Sequence, residues 1–206
     1  MEQIAPRTDK SPQSNGITPG VYLIGAGPGA ADLITVRGAR ILADADIVFY
    51  DALIDISMLE WCTGTRLVQV GKRCGSHSTS QHFINKQLVD AASKYLVVVR
   101  LKGGDPMIFG RAQEEIDALE KANVRYEIVP GITTALAASA ELKQPPTTRE
   151  LSRTLTLTTL PGRCAHEDHK TAIYYMARDQ LSEVATTLIN QGYTVDTPVC
   201  LMESVS

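Results

Sequence analysis

The sequence predicts an α/β fold built on a mostly parallel sheet, and three observations predict it. Strand-like and helix-like segments alternate from Val21 onward, the pattern of strands joined by helical crossovers. Tyr95-Leu96-Val97-Val98-Val99 is a continuous apolar run, as expected of a strand covered on both faces. Two glycine-rich stretches, GAGPGA at 25–30 and GGDP at 103–106, directly follow predicted strands. In such sheets ligands bind at the carboxyl ends of the strands.

Each element has its own justification. Strands are expected at 20–24, 46–50, 66–70, 95–101, 124–129, 153–159, 171–176 and 197–202, and helices at 35–44, 80–93, 111–122, 133–142 and 179–191. Ser80 is a good N-cap for the second helix, whose apolar stripe is Phe83, Ile84, Leu88 and Ala91. The last helix places Leu181, Val184 and Leu188 on one face and stops at Gly192, a residue favoured just past a helix end. Residues 1–18 are polar and rich in Pro, Ser and Gln, and read as a disordered tail. A boundary near Pro130-Gly131 divides an N-terminal domain, 19–131, from a C-terminal one, 132–206. The strands beyond it alternate Thr with Leu, as half-exposed or mixed sheets do.

Composition removes several function classes. The 206 residues are 44% hydrophobic and 21% charged, with net charge −3, which offers no global basic field for nucleic acid. No apolar run approaches the ~20 residues of a membrane span, and the N-terminus lacks a secretory pattern. Cys62, Cys74, Cys164 and Cys200 are scattered without a CxxC, which points to reduced thiols and a cytoplasmic protein. Cys164, His166 and His169 have metal-binding types, but their spacing is not a standard ligand set, so no metal is expected.

The loop Gly25-Ala26-Gly27-Pro28-Gly29-Ala30 fits the outline of a dinucleotide fingerprint, with Asp51 at the end of the second strand. Against this, the best helix start is Thr35, so the loop would not meet a helix N-terminus. Pro28 also removes a donor that phosphate would want. Beside the second loop, another ligand fits better. S-adenosylmethionine has a flat adenine, a ribose diol, an amino-acid end and a sulfonium. Asp105 can accept from its diol or ammonium, and Ile108 can pack on its adenosine. The plainer reading is that Gly103-Gly104-Asp105-Pro106 is a tight turn, where Asp and Pro are ordinary.

Four stretches together carry a more specific signal: VYLIGAGPGAADLITVRGARILADADIVFYDALI, VGKR at 70–73, RLKGGDPMIFGR, and VPGITTALAA at 129–138. They resemble the tetrapyrrole methylase family, and in particular its uroporphyrinogen-III branch, from Gly20 to about Ser206. The resemblance implies two α/β domains with S-adenosylmethionine in the crevice between them and no metal. It also implies two methyl transfers to uroporphyrinogen III, at C2 and C7, giving precorrin-2 for sirohaem and cobalamin. By position it places Pro28, Gly103, Gly104, Asp105, Ile108, Thr133, Thr134 and Met176 on the cofactor. Asp51 becomes the proton acceptor and Lys72 the proton donor, where the residues alone suggest only a surface ion pair. The substrate is a carboxylate-rich macrocycle, so Arg73, Arg111, Arg149 and Arg153 become its clamp, since Arg can grip a carboxylate with two parallel hydrogen bonds.

Three further expectations come with the resemblance. The family continues past the position of Ser206, so the second domain reads as incomplete. A strand over 197–202 would then leave an open sheet edge, which invites another chain, and the expected state is a homodimer. The alternatives to an active methyltransferase are a relative that binds cofactor without turning over and, further off, a nicotinamide-dependent oxidoreductase.

Overall fold

Five parallel strands in the order β3-β2-β4-β1-β5 form the sheet that organises the first part of the chain. The structure, a computed structural model, describes residues 16–52, 54–70, 80–150, 152–160, 170–203 and 205. The strands are β1 (Gly20–Gly25), β2 (Ile47–Tyr50), β3 (Arg66–Gln69), β4 (Val97–Lys102) and β5 (Tyr126–Val129). Helices α1 (Val36–Asp44), α2 (Gln81–Ala92) and α3 (Ala112–Lys121) cross between them. Thr35 Oγ1 accepts from Gly38 N at 3.1 Å, and Ser80 Oγ accepts from Phe83 N at 3.4 Å. Both caps stand where the sequence suggests helix starts.

Strand β4 lies at the centre, between β2 and β1, and its period of two separates two layers. Val97, Val99 and Leu101 join Ile41 and Leu42 of α1 and Met58 and Leu59 of a 3₁₀ turn. Val98 joins Ile84 and Leu88 of α2 and Ile116 and Leu119 of α3. All of these side chains are buried. The expected apolar stripe of α2 is right for Ile84, Leu88 and Ala91 but wrong for Phe83, which is exposed. One residue is about 100° around a helix, so Phe83 turns off the stripe that its neighbour Ile84 occupies.

The described residues divide into a first unit that runs to Thr134 and a second over Ala135–Val205. Helix α4 (Thr134–Glu141) begins at that division. In the second unit, β6 (Thr154–Thr158) and β7 (Lys170–Tyr174) pair in parallel, from Thr154↔Lys170 to Thr158↔Tyr174. The pair is half-buried from Leu155 to Leu157, as its Thr/Leu alternation suggests. Helix α5 (Leu181–Asn190) ends before Gly192, whose φ of 98° is the left-handed value that suits glycine past a helix end.

Thr197–Met202 is not a strand, which corrects the expectation for the end of the chain. Thr197 N instead closes a turn on Thr194 O at 3.1 Å. Pro198 has no N–H to give a ladder, and the side chains of Val199 and Leu201 are exposed. The open-edge argument for a dimer loses its strand.

Candidate active site at the carboxyl edge of the sheet

Three loops leave the carboxyl ends of β1, β4 and β5 and touch backbone to backbone. Gly27 and Gly104 exchange hydrogen bonds, Gly104 N to Gly27 O at 2.7 Å and Gly27 N to Gly104 O at 3.2 Å. Their φ angles are 81° and 66°, in the left-handed region where a Cβ would be strained. Gly131, after β5, lies so close that an added Cβ would stand 2.2 Å from Gly104 O and 2.7 Å from Gly25 Cα. These glycines are needed for contact between loops.

Gly103 differs. Among the described residues, a Cβ there would meet nothing within 4 Å, and at Gly104 it would meet only Thr133 Cα at 3.9 Å and Thr134 Oγ1 at 4.0 Å. So the β4 loop presents bare backbone to open space, with both threonines beside it. Room for close approach to a backbone is what a ligand such as S-adenosylmethionine needs, and the residues present fit it. Ile108 is half-buried, and Met107 and Phe109 are exposed. Phe109 and Arg111 both have positive φ, 51° and 54°, around Gly110. Non-glycine residues in that region are uncommon and cluster at functional sites.

Asp105 serves the loops themselves. Its Oδ1 accepts from Met107 N at 2.8 Å and its Oδ2 from Gly131 N at 3.0 Å, which ties the β4 loop to the β5 loop. Each oxygen keeps a lone pair for a further donor. Pro28 is half-buried in the β1 loop, which passes through a 3₁₀ turn at Ala31–Leu33 before the Thr35 cap. The glycines are thus separated from the helix N-terminus on which a dinucleotide pyrophosphate would rest.

Asp51 follows β2 on the same edge. Its Oδ1 accepts from Arg100 Nη2 at 2.5 Å, while the side chain stays 33% exposed. Behind it lies a buried cluster that sequence reasoning assigned to nothing. Arg100 Nε donates to Glu115 Oε1 at 3.0 Å, and Lys102 Nζ donates to Glu115 Oε2 at 2.9 Å. Gln81 Nε2 adds a donor to Glu115 Oε1 at 3.1 Å. Glu115 is 0% exposed, and Arg100 and Lys102 are nearly so. Burial and the neighbouring Arg100 guanidinium push the Lys102 ammonium below its ordinary range, against the pull of Glu115. One signal was available: charged residues at alternate positions, 100 and 102, ending an otherwise apolar central strand.

Lys72 and Arg73 lie outside the described residues, as do Cys74, Cys164, His166 and His169. Arg111 grips a carboxylate with two hydrogen bonds, but the carboxylate is Glu114, at 2.6 and 2.8 Å. Arg149 and Arg153 are exposed in the second unit. Met176, also in that unit, has φ 56° and is exposed. Burial pushes the Cys62 thiol up to about 11, which suits an inert packed residue.

The pattern of the tetrapyrrole (corrin/porphyrin) methylases matches residues 20–206. The uroporphyrinogen-III C-methyltransferase of Pseudomonas aeruginosa is 41% identical over 194 residues, covering 90% of this chain and 79% of that protein. The siroheme synthase of Psychrobacter cryohalolentis is 38% identical over 97% of this chain, which spans 40% of that longer protein. Among solved structures, the uroporphyrin-III C-methyltransferase of Thermus thermophilus, complexed with S-adenosylhomocysteine, superposes with a TM-score of 0.70. It is 32% identical and is matched over 85% of this chain and 73% of its own.

Proposed function

Since this chain belongs to the tetrapyrrole methylase family, we propose that it methylates uroporphyrinogen III at C2 and C7 to give precorrin-2, with S-adenosylmethionine as methyl donor. The observation that carries the reading is the pairing of two features on one sheet edge. Bare backbone at Gly103 and Gly104 opens to space, and the half-exposed carboxylate of Asp51 stands at the end of the strand beside β4.

S-adenosylmethionine supplies an electrophilic methyl group on a sulfonium sulfur. Within the first unit, Pro28, Gly103, Gly104, Asp105, Ile108, Thr133 and Thr134 are the proposed binding residues. Gly103 and Gly104 admit the ligand against the backbone, and Ile108 offers apolar surface to the adenosine. Methyl transfer to a pyrrole carbon is an in-line displacement, so holding donor and ring in fixed orientation supplies much of the rate. Asp51 is the proposed proton acceptor as the methylated ring sheds a proton, through Oδ2, which is without a partner among the described residues. Lys72 as donor, and Arg73, Arg111, Arg149 and Arg153 as the carboxylate clamp, complete the proposal. For Arg111 this requires the guanidinium to leave Glu114 or share it. A cytoplasmic homodimer is also proposed. Its support is the family resemblance and, in the second unit, the exposed apolar side chains of Val195, Val199 and Leu201.

The test is turnover. Purified protein given S-adenosylmethionine and uroporphyrinogen III should form a dimethylated product, and Asp51→Asn should slow it by a factor on the order of 10² or more, as for a lost general base. Cofactor binding without turnover would leave an inactive relative, and a parental rate in the variant would remove Asp51 from the chemistry.

A further inference from the structure

The cluster behind Asp51 lies in the first unit, and every charged member is accounted for by geometry. Arg100 projects from β4 toward the layer of α2 and α3, the face that Val98 shares. Its guanidinium is spent in three directions: Nε to Glu115, Nη1 to Leu101 O at 3.1 Å, and Nη2 to Asp51. Three hydrogen bonds thus fix its direction. Glu115 is held from the other side by Lys102 and Gln81. Two cations and two anions thus share one pocket of low dielectric, and Asp51 is the single member that reaches the open edge.

We propose that Arg100 is a positioning residue for methyl transfer, holding the Asp51 carboxylate fixed in direction at the edge of the sheet. Glu115 and Lys102 hold Arg100 in turn. The proposal rests on the reading of Asp51 as proton acceptor. A purely structural buried ion pair gains little over apolar residues of the same volume, and Arg100 with Glu115 alone would close such a pair. The third arm goes instead to a half-exposed carboxylate, takes one of its oxygens and leaves the other without a partner among the described residues. A proton acceptor needs this before its substrate arrives: one oxygen held and the other left to accept. Among the described residues, the charged groups that face Asp51 are Arg100 and Lys102 from β4 and, beyond them, Glu115 from α3.

The experiment compares Arg100→Met and Arg100→Lys with the parental protein in S-adenosylhomocysteine calorimetry and in turnover, each also in an Asp51→Asn background. Arg100→Met should bind within about threefold of the parental affinity and turn over at least tenfold more slowly at neutral pH. In the Asp51→Asn background Arg100→Met should cost no more than about threefold further, because its effect runs through that carboxylate. Lysine has one compact ammonium that cannot serve both carboxylates, so Arg100→Lys should lower turnover in the same way by less. Losses that multiply in the double variant would make Arg100 a scaffold residue and overturn the proposal. If Arg100→Met does not fold, Arg100→Lys is taken through the same cycle. Its loss is expected to vanish in the Asp51→Asn background, and an undiminished loss there overturns the proposal. Parental turnover in Asp51→Asn would instead sink the acceptor role. The two failures are told apart, since the proposal fails only where Asp51→Asn slows turnover and the losses still multiply.

Discussion

Asp46 and Asp51 stand at opposite ends of β2, one just before its first residue and one just after its last. Asp46, at the amino edge of the sheet, turns its Oδ2 onto the backbone N–H groups of Leu96 and Val97, at 3.0 and 2.9 Å. It is buried and aligns the start of β4. Asp51, at the carboxyl edge, meets a side-chain cation and remains half-exposed. The same side chain thus fastens strands at one edge and is presented at the other. What differs is the partner. Backbone donors are fixed by the sheet itself, whereas the donor to Asp51 is held by a buried ion cluster that the sheet does not require.

The largest expected effect tests that cluster. Glu115→Ala leaves Arg100 and Lys102 buried without their common anion, and breaking such a pair costs about 3–5 kcal/mol. Urea denaturation should show that loss, and a change below about 1 kcal/mol would mean that water or another group replaces the carboxylate. A smaller effect is expected at the amino edge. Asp46→Ala leaves two backbone N–H groups without their acceptor, worth about 1–3 kcal/mol in stability, while turnover of the folded protein stays parental. A turnover defect comparable with that of Asp51→Asn would break the comparison between the two edges. The smallest effect on the fold belongs to Gly103→Ala. Its Cβ enters open space at an ordinary φ, so stability should hold within about 0.5 kcal/mol. Affinity for S-adenosylhomocysteine should nevertheless fall about tenfold, roughly 1.4 kcal/mol, if a ligand approaches that backbone. Unchanged affinity in calorimetry would take Gly103 out of the site.

Much of the local structure was legible in the residues. Thr35 and Ser80 cap helices because a hydroxyl before an apolar-periodic run satisfies a free N–H of the first turn. The apolar run at 95–99 and the glycines after it mark a buried strand and a loop of close approach, and both are found. Thr197–Met202 misled because short apolar runs are ambiguous without a partner strand. Arg100 and Lys102 carry no assignment from sequence, since a charge in sequence does not tell whether it will meet water or an anion.

The sequence by itself determined the alternation of strands and helices, the caps, and the positions of the loops that must lack side chains. These follow from periods of two and 3.6 and from the conformational range of glycine, all of which act over a few residues. Only the tertiary structure decided that β4 lies between β2 and β1, and hence that Asp51, Arg100, Lys102 and Glu115 meet. The ion pair between Asp51 and Arg100 spans 49 residues of chain. No local preference encodes a contact of that length. It exists because strand order sets two carboxyl ends side by side, and because burial away from water makes each charge there depend on its partner.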